Sequence, residues 1–135
     1  MPKQLILYVE DDTLSREIMA LVIEDLPRYE LVMFADSVDF QARVEALPVI
    51  PTVILLDIHV QPMNGFEMLE HLRSWPSYRD VPVVALTASV MNEEITRLRK
   101  VGFNGTIAKP IDQDLFHDHI MQVLAGKLVW IIDTH

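Results

Sequence analysis

Five short apolar runs, each followed by a longer stretch whose apolar residues recur at helical spacing, set the strongest limit on what this chain can fold into. The central run, Thr52, Val53, Ile54, Leu55 and Leu56 closing on Asp57, is continuous rather than alternating, which suits a strand buried on both faces. The other strand candidates are residues 5–9, 29–34, 82–86 and 106–108. Between them, Leu14, Ile18, Leu21, Val22 and Leu26 fall on one helical face before Pro27. Asp36 or Ser37 can cap a helix carrying Val38, Ala42, Val44 and Leu47 before Pro48. The turn at 61–65 leads to a helix near 66–74, another spans about 91–101, and Asp112 caps a last one reaching about residue 125. Parallel neighbours need crossover connections, which are right-handed, so the pattern predicts an α/β fold: an open, doubly wound sheet covered on both faces. A chain of 135 residues is the right size for one such domain and too short for two.

In sheets of this kind the ligand site lies beyond the carboxyl ends of the strands. Those ends carry Glu10, Asp11 and Asp12 after the first strand, Asp57 on the third, Thr87 after the fourth and Lys109 after the fifth. Each has an ordinary explanation: acids after a strand often cap a helix, Thr87 is a β-former, and Lys109 with Pro110 fits a surface turn. Together they form a chemical set. Crowded carboxylates either take up protons or hold a cation, and clustered hard oxygens suit Mg²⁺. One carboxylate can then attack phosphorus while an ammonium and a hydroxyl stabilise the charge on the phosphoryl oxygens.

Charge and composition narrow the function classes. Eleven basic against twenty acidic residues give a net charge of −9, which disfavours nucleic acid and anionic membrane as partners. The chain has no cysteine, hence no disulfides or thiol chemistry, and cytoplasm is the expected location. No segment approaches the roughly twenty apolar residues of a membrane span, and the first residues lack the pattern of a signal peptide. His71, His117, His119 and His135 are not arranged as a zinc site.

The motifs Leu-Tyr-Val-Glu-Asp-Asp (7–12), Leu-Leu-Asp-Ile (55–58), Met-Asn-Gly (63–65), Ala-Leu-Thr-Ala (85–88) and Ala-Lys-Pro (108–110) stand in an order and spacing that resembles a receiver domain of the two-component response-regulator family. The resemblance runs over nearly the whole chain. It implies a five-stranded parallel sheet, (βα)5, in the flavodoxin-like strand order 2-1-3-4-5. It also implies that Asp57 is the phosphoacceptor. Glu10, Asp11, Asp57 and the backbone carbonyl of His59 would hold Mg²⁺ or Mn²⁺. Thr87 and Lys109 would contact the phosphoryl group, and Pro110 would follow a cis bond. His59 and Ser89 occupy the positions that tune the attack of water on the phosphorylated form. The implied partner is a histidine kinase or histidine phosphotransfer protein, and the role is that of a switch rather than an enzyme.

The sequence departs from the family pattern where its output is concerned. Thr106 stands where such domains usually carry an aromatic that follows the threonine, and Gln61 replaces a usual proline, with Pro62 one place later. Two rival readings follow: a degenerate receiver acting as an interaction module without phosphorylation, and a phosphohydrolase with an aspartyl intermediate. The latter generally has a second acid two residues after the nucleophile, where this chain has His59. Residues 1–126 are expected to form the domain. The apolar tail 127–135 is expected either to add a strand, with a homodimer as one outcome, or to begin a linker.

Overall fold

The apolar runs become the strands of one sheet because a strand buried on both faces leaves no room for alternating polar residues. The structure, a computed structural model, describes residues 3–88, 91–127 and 129–130. Strands β1 (Gln4–Val9), β2 (Tyr29–Phe34), β3 (Val53–Asp57), β4 (Val83–Thr87) and β5 (Gly105–Ala108) alternate with helices α1 (Thr13–Glu24), α2 (Phe40–Glu45), α3 (Gly65–Ser74), α4 (Asn92–Val101) and α5 (Gln113–Leu124). A short β6 (Val129–Trp130) closes the order β2-β1-β3-β4-β5-β6, and every pairing is parallel. This is the doubly wound sheet the sequence predicts, with β6 added outside β5.

All five residues of β3 are buried, and each face of the sheet carries its own core. On one face Leu56, Met68, Leu72, Leu98 and Phe103 pack beneath α2, α3 and α4. On the other Tyr8, Met19, Ile23, Leu55, Phe116 and Ile120 pack beneath α1 and α5. Each such aliphatic or aromatic side chain contributes about 1.5–3 kcal/mol by leaving water, so the sheet is held from both sides and its strand ends are fixed relative to one another.

Two local expectations are corrected. Of the expected α1 face, Val22 is buried and Ile18 and Leu26 pack partly buried on the core, joined by Met19 and Ile23, whereas Leu14 is 63% and Leu21 55% exposed. Apolar spacing identifies residues that share a face but not which of two overlapping faces meets the sheet, and the buried one is turned around the helix from the expected one. Neither Asp36 nor Ser37 caps α2. The helix starts after Asp39, which adopts a left-handed conformation with φ 51° and makes no side-chain capping bond, and Val38 is left exposed. Ser37 is buried instead, its Oγ donating to the Met63 carbonyl at 2.6 Å and accepting from the Met63 N–H at 2.7 Å.

That clamp ties the loop after β2 to the loop after β3, which leads into α3. Asn64 caps α3 in a reciprocal capping box with Glu67. Gly65 is required there, since a Cβ would lie 2.7 Å from the Ile58 Cα. The Gln61–Pro62 and Lys109–Pro110 bonds are both cis. Trp130 pairs in register with Thr106, which places both on the same sheet face, and its ring packs against the core beneath α4.

Candidate functional site

Parallel strands end together, and the first residues beyond those ends are therefore neighbours. Glu10 follows β1 and is fully buried, Asp57 closes β3 at 3% exposure, buried Thr87 closes β4, and Lys109 follows β5. The Lys109 ammonium donates to Glu10 Oε1 at 2.8 Å and stands 3.5 Å from Asp57 Oδ2. Its backbone N–H donates to the Thr87 carbonyl at 2.9 Å, which fixes the start of the long side chain. The second Asp57 oxygen accepts from the His59 N–H at 3.1 Å, while the His59 side chain is exposed.

Two residues that the sequence does not single out complete the setting. Tyr8, two places before Glu10 on β1, donates its hydroxyl to Glu10 Oε1 at 2.7 Å. The signal was present as the one polar-tipped side chain in an otherwise apolar run, since alternate residues of a strand point to the same side. Arg16 of α1 donates to the Glu10 carbonyl at 2.8 Å. Asp12 caps α1 by accepting from the Ser15 N–H and hydroxyl, and those bonds hold its carboxyl below the usual range.

The electrostatics of the buried groups follow from these contacts. Burial and the neighbouring Asp57 raise the Glu10 carboxyl, and the bonds from Lys109 and Tyr8 only partly offset this. Burial pulls the Lys109 ammonium down, but the Glu10 bond and the Asp57 charge outweigh it, so it stays raised and charged. Burial and the Glu10 bond push the Tyr8 hydroxyl far up, which keeps it a donor.

One oxygen from each of Glu10, Asp11 and Asp57 lies within 4.8 Å of the others. Asp11 is exposed and gives solvent access, whereas the other two are buried. Three carboxylates face one ammonium, so the cluster has negative charge to spare, and its donors are all hard oxygens. Both features fit a divalent cation such as Mg²⁺. Ser89 lies outside the described residues. Thr106 is not part of this cluster: it is fully buried, and its hydroxyl donates to the Ala85 carbonyl at 3.1 Å.

The sequence pattern of the response regulator receiver domain matches residues 6–121. The polar-differentiation response regulator DivK of Brucella anthropi is 30% identical over 128 residues, covering 92% of this chain and 98% of DivK. The signal transduction histidine-protein kinase BarA of Shigella flexneri is 27% identical over 122 residues, or 90% of this chain, and this chain spans only 13% of that kinase. Among solved structures, the receiver domain of the sensor histidine kinase PA1611 of Pseudomonas aeruginosa, which has a magnesium ion in its active site cleft, superposes with a TM-score of 0.78. It is 25% identical and covers 93% of this chain and 99% of that domain.

Proposed function

The chain belongs to the response regulator receiver domain family, and on that premise we propose that it is a phospho-switch in which Asp57 takes a phosphoryl group from the phosphohistidine of a kinase or phosphotransfer protein. The observation that carries this reading is the convergence of buried Asp57 with Lys109 and two further carboxylates at one sheet edge. In the transfer an Asp57 carboxylate oxygen forms a bond to phosphorus as the bond from phosphorus to the donor imidazole nitrogen breaks. An acyl phosphate forms on Asp57 and the imidazole leaves. Lys109 contributes positive charge beside the incoming oxygens, and the Thr87 hydroxyl, closing the neighbouring strand, is the group assigned to the phosphoryl oxygen once transfer is complete. Glu10, Asp11, Asp57 and the His59 carbonyl would hold Mg²⁺, which supplies charge neutralisation to the approaching phosphoryl group. Tyr8 and Lys109 orient Glu10 for that role. His59 and Ser89 are assigned to tuning the hydrolysis of the acyl phosphate.

Contact with the donor is assigned to α1 and the segment after β5. Leu14, exposed on α1, borders a groove of about 190 Å³ that Ile18, Lys109, Pro110 and Ile111 also line. An apolar groove beside the nucleophile suits a helix that presents a phosphohistidine.

Incubation with acetyl phosphate and Mg²⁺, followed by intact-mass measurement, tests the reading. A gain of one phosphoryl that is lost in Asp57→Asn is the expected result. No gain across several donors and metals would leave the second reading, an interaction module without phosphorylation, which the lack of an aromatic at Thr106 and the altered loop at Gln61 and Pro62 favour.

A further inference from the structure

On the sheet face away from α1, a groove of about 650 Å³ runs between α2 and α3. Its apolar floor includes Phe40, Met63 and Trp75, with the Phe40 and Trp75 rings stacked at 6.0 Å. The carboxylates of Asp39, Glu45 and Glu67 stand around it, all on exposed residues, and among the described residues His71 is its one basic side chain, with no lysine or arginine. Arg43, the one basic residue of α2, is engaged elsewhere: it pairs with Asp36 at 2.8 Å and lies 4.2 Å from the centre of the Phe34 ring.

Three other aromatic rings lie under the chain's own guanidinium groups. Arg43 covers Phe34, Arg97 covers Phe66 at 4.0 Å, and Arg99 covers Trp130 at 4.8 Å. The neighbouring groove between α3 and α4, about 690 Å³, carries Arg73 and Arg97 beside Glu70 and Glu67, the latter shared between the two grooves. Among the described residues no guanidinium lies over Trp75; its ring packs against Phe40, His71 and Tyr78, while three carboxylates line the same groove. From this mismatch we propose that the α2–α3 groove is a docking surface for a basic segment of a partner protein, one that lays arginine or lysine stems across the half-buried Met63 and Trp75 and brings their charges to Asp39, Glu45 and Glu67.

The chemistry matches that occupant at each point. A cation over an indole face is attracted by the ring quadrupole, and long basic side chains cover apolar surface while their heads reach polar groups at the edge. Several like charges over a low-dielectric floor focus the potential and favour the approach of a basic segment. A groove of this size accepts several side chains. The surface also abuts the functional site, because Met63 belongs to the loop that follows Asp57 and is clamped by Ser37. It lies on the opposite sheet face from α1, so a partner here and a phosphoryl donor there do not compete for space.

The test uses the full chain and a fluorescein-labelled amphipathic helical peptide with leucine and arginine on one face, beside a matched peptide with glutamate in place of arginine. Binding is followed by anisotropy and mapped by amide shifts. The arginine peptide is expected to bind, to weaken as salt is raised, and to shift residues 37–45 and 62–75, while the glutamate peptide does not bind. Asp39→Asn with Glu45→Gln should weaken binding about fivefold or more. Asparagine tolerates the left-handed backbone at position 39, so the double variant should fold; Glu45→Gln alone, outside that turn, provides an independent second measurement. Equal binding by the wild type and both variants would overturn the proposal, as would shifts confined to α4 or α5 or a failure of the arginine peptide to bind. The same shifts from free arginine at the same concentration would mark a small-cation site and would also overturn it.

Discussion

Glu10 and His119 are both buried polar side chains, yet their surroundings differ sharply. Glu10 accepts from Tyr8, Lys109 and the Asp12 N–H. His119, on α5 with 9% of its surface exposed, has a buried Nδ1 without a hydrogen-bond partner among the described residues. An unpaired buried polar atom costs about 1–3 kcal/mol, whereas a paired one is close to neutral. The sheet edge thus carries a polar cluster whose members hold one another in place, and α5 carries an isolated polar group that the fold tolerates. Mutual support, rather than burial alone, distinguishes the sheet-edge cluster from a group that merely happens to be inside.

The largest effect should come from breaking the cluster at its only ammonium. Lys109→Met leaves Glu10 and Asp57 buried side by side without a counter-charge. In metal-free buffer at neutral pH it should cost about 3 kcal/mol in urea unfolding. The cost should shrink on acidification. With Lys109 gone, the Glu10 carboxyl in the folded chain moves further above its ordinary 4.5. The folded state then binds more protons than the unfolded state over the window above 4.5, and stability falls as pH rises through it. Equal deficits at pH 5 and pH 8 would break the claim that Glu10 is the strained member.

Removing the isolated group should have the opposite sign and a smaller size. Burial lowers the His119 imidazole below its ordinary 6.5 despite the charges of Asp118 and Asp112. Below 6.5 the unfolded state therefore takes up protons before the folded state does, and stability falls as pH drops through that window. His119→Leu should gain about 1 kcal/mol at neutral pH and flatten the slope between pH 5 and 6.5. A variant that is less stable, or that keeps the slope, would show that His119 has a role which the contrast with Glu10 misses.

The same contrast explains what the sequence makes legible. Asp57, Lys109 and the acidic run could be placed at one edge because parallel strands end together, so position along the chain is enough. The buried face of α1 was only partly legible, since Leu14 and Leu21 are as apolar as the Met19 and Ile23 that face the sheet. Only the contact with the sheet decides between two overlapping stripes. Nor was the start of α2, because Ser37 is drawn away from capping by Met63, a residue 26 places distant. Side chains committed to long-range bonds defeat local rules, and the α2–α3 groove arises in just such a region.

Thr106 is the mildest case, and it sharpens the contrast from the paired side. Its hydroxyl is buried like Glu10, but it has one partner, the Ala85 carbonyl, and touches none of the charged groups. Trp130, in register with it on the neighbouring edge strand β6, places an aromatic ring beside it on that sheet face. Thr106→Val keeps the shape and the strand preference, and the carbonyl it leaves is backbone with a second lone pair. The change should cost less than about 1 kcal/mol. Mass gain from acetyl phosphate should be the same as in the wild type, because a hydroxyl committed to Ala85 has nothing to offer the phosphoryl group. A variant as stable as the wild type that takes up phosphoryl at a clearly different rate would tie this strand to the site after all.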